Sequence, residues 1–181
     1  MTKLQDKVAV ITGGTKGIGL GIASEFVKEG AKVVIGGRNP ETGNEGVAEL
    51  EQLGGQALFV QCDVGDLDSL DNIINKAVEH FGRLDIYVAN AGINDPDKTH
   101  FLDITPDQYD KIMDINLRGM FFGGQKAAKQ MVKQGEGGVL INMSSVNAHL
   151  ALDSQMVYTT SKGGIQQLTK VQAVALAKYN I

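Results

Sequence analysis

Short apolar runs and helical stretches alternate along this chain from end to end, and that alternation admits few architectures. Residues 7–12 (KVAVIT), 32–35 (KVVI), 57–62 (ALFVQC), 84–89 (LDIYVA) and 138–143 (GVLINM) read as strands. They are largely continuous apolar runs, the pattern of parallel strands buried on both faces. Between them, Ile18, Ile22, Phe26 and Val27 recur at helical spacing up to a stop at Gly30. A polar helix follows over 41–53, and Leu70, Ile73, Ile74, Ala77, Val78 and Phe81 form the apolar stripe of another. Pro106 suits the first turn of a long helix over 106–133, and a last helix covers 154–178. Residues 93–105 are polar, contain Pro96 and carry no period, which predicts a loop. Strict alternation calls for parallel strands joined by right-handed crossovers, with helices on both faces. The expectation is a single α/β domain over residues 1–181, built on a doubly wound parallel sheet.

The first strand opens into Thr12-Gly13-Gly14-Thr15-Lys16-Gly17-Ile18-Gly19. Glycines there tolerate positive φ and let backbone amides at a helix N-terminus approach a phosphate. The spacing is Thr-Gly-x-x-x-Gly-x-Gly. The commoner G-x-G-x-x-G would need glycine where Ile22 stands, and Lys16 is not followed by the Ser or Thr of a Walker sequence. Gly13, Thr15, Lys16, Gly17, Ile18 and Gly19 are the candidate cofactor turn; the competing reading is a glycine-rich connection without a ligand. Where an acid usually takes the ribose hydroxyls of NAD, the second strand ends in Ile35-Gly36-Gly37-Arg38-Asn39, with no carboxylate. Arg38 offers a planar cation suited to a 2′-phosphate and Lys16 a second charge, which favours NADP(H) while leaving NAD(H) possible. As plain surface charges, the two would carry no such meaning.

Tyr158 and Lys162 stand at i and i+4, on one face of the last helix, thirteen residues after Ser145. A phenol alone holds its proton too tightly to serve as a base at neutral pH. A neighbouring cation favours the phenolate, and the positive charge of an oxidised nicotinamide pushes the same way. In the reducing direction Tyr158 would donate its proton to a carbonyl oxygen as hydride reaches the carbon, and Ser145 would hydrogen-bond that oxygen. A Tyr/Lys pair is commonly surface decoration. Its place just after the fifth strand, at the end of the sheet where ligands bind, gives it weight.

These residues resemble the short-chain dehydrogenase/reductase (SDR) family, a Rossmann-like fold, over nearly the whole chain. The resemblance implies that Thr12-Gly13-x-x-x-Gly17-x-Gly19 is the cofactor loop, that Asp63 and Val64 flank the adenine ring, and that Asn90-Ala91-Gly92 closes the fourth strand. It implies a tetrad of Asn116, Ser145, Tyr158 and Lys162. Asn116 would support a water-linked proton path to the lysine; Lys162 would also grip the nicotinamide ribose, with Tyr158 beside it at the cofactor. Ser144 competes with Ser145, and the family's spacing to tyrosine selects Ser145. Two features depart from the pattern. Ala89 replaces the first asparagine of Asn-Asn-Ala-Gly. After Lys178-Tyr179-Asn180-Ile181 the family continues into a sixth strand, a Pro-Gly turn, a substrate-covering segment and a seventh strand, so a fold lacking its last strands is expected.

The expected activity is hydride transfer between NADP(H) and the carbonyl or secondary alcohol of a small molecule. The alternative is a non-catalytic dinucleotide-binding or assembly module. The helices over 106–133 and 154–178 carry apolar residues on more than one face: Ile112, Ile115, Met120, Phe121 and Phe122, then Ile165, Leu168, Val171 and Val174. One face must cover the sheet, and the second predicts a homo-oligomer built through these helices. Cys62, the sole cysteine, permits no internal disulfide and reads as a small buried hydrophobe. His80, His100 and His149 lack metal-ligand spacing, and no metal is expected. His149, Asn147, Gln155 and Met156 lie where family members line the substrate pocket; Asp95, Asp97 and Asp103 read as a solvated loop. A net charge of −4 and a pI near 5.3 leave no nucleic-acid footprint. No stretch approaches the roughly 18 apolar residues of a membrane span, and no signal peptide precedes the first strand, so a cytoplasmic protein is expected.

Overall fold

The computed structural model describes residues 2–95 and 99–181, so Pro96 and Asp97 lie outside the described residues. Five strands form one parallel sheet: β1 (Val8–Thr12), β2 (Lys32–Gly37), β3 (Gln56–Gln61), β4 (Ile86–Ala89) and β5 (Val139–Asn142), in the order β3-β2-β1-β4-β5. Strand order reverses between β1 and β4, whose ends meet at Thr12 and Ala89. A crevice opens at such a switch point, beyond the carboxyl ends of the strands.

Alternate residues of β1 supply both halves of the core. Val8 and Val10 face the layer of α3 (Leu67–Phe81), α5 (Gly119–Gln134) and α6 (Met156–Leu176), while Ala9 and Ile11 face α1 (Gly17–Lys28) and α2 (Pro40–Gln52). All four are fully buried, as a central strand covered on both sides must be. On α3 the expected stripe packs inward, with Leu70, Ile73, Ile74 and Ala77 buried; each large side chain so placed contributes about 1.5–3 kcal/mol. Asp66 caps its start and Gly82, at φ +85°, ends it in the left-handed region.

The long helix expected over 106–133 is interrupted. It begins as α4 (Pro106–Met113), with Pro106 in the first turn and a Thr105/Gln108 capping box, passes through a π-helical turn at Asp114–Arg118, and resumes as α5. Apolar periodicity does not register one wider turn, because the same residues stay helical on either side of it. The last helix likewise ends in a 3₁₀ turn at Ala177–Tyr179. β5 is an edge strand, with Val139 and Ile141 partly exposed along it. No described helix is long and apolar enough to cross a membrane.

Candidate active site

Beyond the carboxyl ends of β1–β4 lies a cavity of about 370 Å³. Gly13, Thr15, Lys16, Gly17, Arg38, Asp63, Val64, Asn90, Ala91 and Gly92 line it, so most of the expected cofactor residues meet in one place. Asn90 locks the glycine turn, its amide donating to the carbonyls of Thr12 and Gly13 at 3.0 Å each. The Thr12 hydroxyl accepts from the backbone N–H of Asn90 (3.1 Å) and of Ala91 (3.3 Å), which ties the ends of β1 and β4 together.

Two members of the turn stand outside the cavity lining. Ile18 is 70% exposed and borders no part of it. Gly19 is buried beneath: a Cβ there would lie 2.2 Å from the Gly13 carbonyl oxygen, so its role is close packing of α1 on the turn. Gly17 differs again, at φ +55° with open space where a side chain would project. The first turn of α1 has no side-chain cap and no acidic residue, leaving its amide dipoles directed outward. A side-chain-free cradle, uncapped amides and the cations of Lys16 and Arg38 fit a dinucleotide's phosphates.

Cys62, Gly37, Ile93 and Ile115 also line this cavity and carry no motif signal. Burial, with Asp63 and Asp66 adding to it, pushes the Cys62 thiol up to about 12. Standing just after β3, it is the small buried hydrophobe that the sequence suggested.

The four residues expected to form a tetrad lie where α6 and the π turn close on the ends of β4 and β5. Lys162 is buried, 4% exposed, and its Nζ donates to the Met143 carbonyl at 2.8 Å while standing 5.5 Å from the centre of the Tyr158 ring. Burial lowers the Lys162 pKa below the usual lysine value. Tyr158 is half-buried. Of the two serines, Ser144 donates to the Lys162 carbonyl at 3.1 Å, whereas the Ser145 hydroxyl accepts from the Asn147 N–H at 3.2 Å. Asn116 is fully buried in the π turn. Its Oδ1 accepts from the Ile93 N–H and its Nδ2 donates to the Ile93 carbonyl, both at 2.8 Å, and to the Ser161 hydroxyl at 3.2 Å. Ser161, itself fully buried, donates its hydroxyl hydrogen bond to the Tyr158 carbonyl at 2.6 Å. Sequence reasoning missed Ser161, because a serine beside Lys162 looks like any helix residue until its neighbours are known. Gly92 connects the two halves of the site: a Cβ there would lie 3.2 Å from Asn116 Oδ1 and 3.8 Å from Lys162 Nζ.

The neighbouring candidates have partners of their own in the fold. His149 pairs with Gln166 on α6 (2.6 Å between nitrogens) and is exposed. Asn147 donates to Gln155 at 2.7 Å, so these two staple the loop before α6, and Met156 lines a separate groove against Phe101 and Tyr109. Asp95, expected in a solvated loop, is only 6% exposed and lines a cavity together with Ile112 and Ile115; Asp103 is exposed as expected. Among the described residues no cluster of His, Cys, Asp or Glu could hold a metal ion.

Fold and site together define a doubly wound nucleotide-binding domain. The short chain dehydrogenase family model matches residues 7–181, and the chain belongs to that family of NAD(P)-dependent oxidoreductases. It is 40% identical over 182 residues to an L-rhamnose 1-dehydrogenase (NAD(P)(+)) of Azotobacter vinelandii, covering 98% of this chain and 70% of the relative. A 3beta-hydroxysteroid dehydrogenase of Mediterraneibacter gnavus is 37% identical, over all of this chain and 64% of that protein. Among solved structures, a short-chain type dehydrogenase/reductase from Mycobacterium marinum superposes with a TM-score of 0.94 at 35% identity, covering 98% of this chain and 70% of that one.

Proposed function

We propose that this chain is an NADP(H)-dependent oxidoreductase acting on a carbonyl or secondary alcohol, with Tyr158 as acid and base. The observation that carries the reading is the buried Lys162 ammonium, 5.5 Å from the Tyr158 ring and joined through Gly92 to the glycine-lined cavity. When bound, the nicotinamide would supply or accept the hydride. Tyr158 gives its proton to the substrate oxygen in reduction and takes it back in oxidation. Ser145 holds that oxygen; Ser144 is already committed to the Lys162 carbonyl. Lys162 also holds ribose hydroxyls, and Asn116, saturated by Ile93 and Ser161, keeps the π turn in register with α6. Arg38 and Lys16 favour NADP(H), for neither forms an ion pair among the described residues. A purely structural dinucleotide-binding module would have no use for Tyr158 and Ser145 beside Lys162.

The named relatives suggest the first substrates to try, L-rhamnose and a 3β-hydroxysteroid, with NADP⁺ reduction followed by absorbance. Tyr158→Phe should lower turnover by about a hundredfold or more while leaving NADPH affinity nearly unchanged. Lys162→Met should impair both. Near-normal turnover in Tyr158→Phe would refute the assignment. We further propose a homo-oligomer formed through α5 and α6.

A further inference from the structure

A second cavity, of about 280 Å³, adjoins the first and shares Arg38, Ile93 and Ile115 with it. Asn94, Asp95, Gln108, Lys111 and Ile112 complete its lining. Arg38 belongs to both spaces, so whatever Arg38 holds lies within reach of this annex. The annex has two cations from different elements, Arg38 just after β2 and Lys111 on α4, and one carboxylate, the buried Asp95. Lys111 has a carboxylate one turn away on either side, Asp107 on α4 and Asp114 in the π turn, yet it pairs with neither; no ion pair among the described residues uses Lys111 or Arg38. Three isoleucines form the apolar part of the wall. The formal charges of the lining, Arg38 and Lys111 against Asp95, leave one net positive charge, and that favours an anion there.

We infer that Lys111 is a specificity-determining residue that acts with Arg38, from the annex, on the 2′-phosphate of the cofactor. This rests on the NADP(H) reading of the same site. The guanidinium supplies two directed hydrogen bonds and the ammonium a longer-range charge from the helix side. A diphosphate is common to both cofactors, whereas the 2′-phosphate is the one dianion that tells them apart. Lys111 therefore discriminates between them without touching the reacting atoms.

The test is binding, read by nicotinamide fluorescence, with NADPH and NADH as probes at low and moderate salt. Lys111→Gln, at an exposed position, should weaken NADPH by about threefold to fivefold, leave NADH unchanged, and flatten the salt dependence of NADPH binding. Lys111→Arg should keep the wild-type preference. Arg38→Asp is run in parallel and should reverse the preference, through repulsion of the 2′-phosphate. If Arg38→Asp shifts the NADPH/NADH ratio and Lys111→Gln moves it by less than about 1.5-fold, the inference fails alone. Equal weakening of both cofactors in Lys111→Gln would make the residue structural and overturn it as well. If neither variant moves the ratio, or the wild type prefers NADH, the NADP(H) reading itself fails and takes this inference with it.

Discussion

At the scale of single residues, the same side-chain chemistry serves opposite purposes at the two ends of the sheet. At the carboxyl end, Lys162 keeps its ammonium in a buried site at an energetic cost, held by one carbonyl. At the other end Asp85, 9% exposed at its side chain, is surrounded by donors: the Val8 N–H at 2.9 Å, Arg83 at 2.6 and 2.8 Å, and Lys7 at 3.3 Å. Burial alone would raise the Asp85 pKa, but the Arg83 guanidinium, the Val8 N–H and Lys7 outweigh it and hold the carboxyl below its usual 3.8. A carboxylate with a depressed folded-state pKa contributes stability that is complete above the unfolded value and lost as pH falls through the folded one. Asp85→Asn should therefore cost about 2–3 kcal/mol at neutral pH. Its deficit relative to wild type should shrink once the pH drops below 3.8. Urea denaturation midpoints across that range check this, and a deficit independent of pH would contradict it.

At the scale of elements, the site depends on how two helices meet. The π turn between α4 and α5 holds Asn116, and Ser161 carries the contact across to the turn of α6 bearing Tyr158. Every donor in that chain points the same way, from the Asn116 amide to the Ser161 hydroxyl to the Tyr158 carbonyl, so each bond supports the next. Ser161→Ala leaves a buried amide hydrogen of Asn116 without its second acceptor and should cost about 1–3 kcal/mol in urea unfolding. Ser161→Thr should recover most of that, since a helical threonine hydroxyl reaches the carbonyl a turn back. An alanine variant as stable as wild type would show that the bond between helices contributes nothing.

For the molecule as a whole, the apolar residues of α5 and α6 divide as their spacing predicted. Met120, Ile165 and Leu168 are buried, as is Ile112 on α4, while Phe121 (44% exposed), Val171 (54%) and Val174 (82%) remain outside. Phe121 and Val171 border a groove of about 400 Å³ with Val132, Leu176 and Tyr179, and such an exposed strip supports the proposed assembly. Sedimentation at low micromolar concentration should give an oligomer, and Phe121→Glu with Val171→Glu should give a folded monomer. A wild-type monomer under those conditions would end the proposal.

Strand identity, the doubly wound order of layers and the glycine turn were legible in the linear chain, because apolar periodicity and backbone tolerance are local properties. The spacing of Ser145, Tyr158 and Lys162 was legible for the same reason: a helix turn converts i and i+4 into neighbours. What the tertiary structure alone decided lies between elements. It divided Gly17, facing open space, from Gly19, pressed against Gly13, although the two look alike in sequence. It committed Ser144 to a carbonyl, buried Asp95, drew His149 to Gln166, and brought Lys111 to the cavity it shares with Arg38. Each outcome depends on which surfaces meet across tens of residues, and no local pattern encodes that, since contact partners are chosen by packing of the whole core.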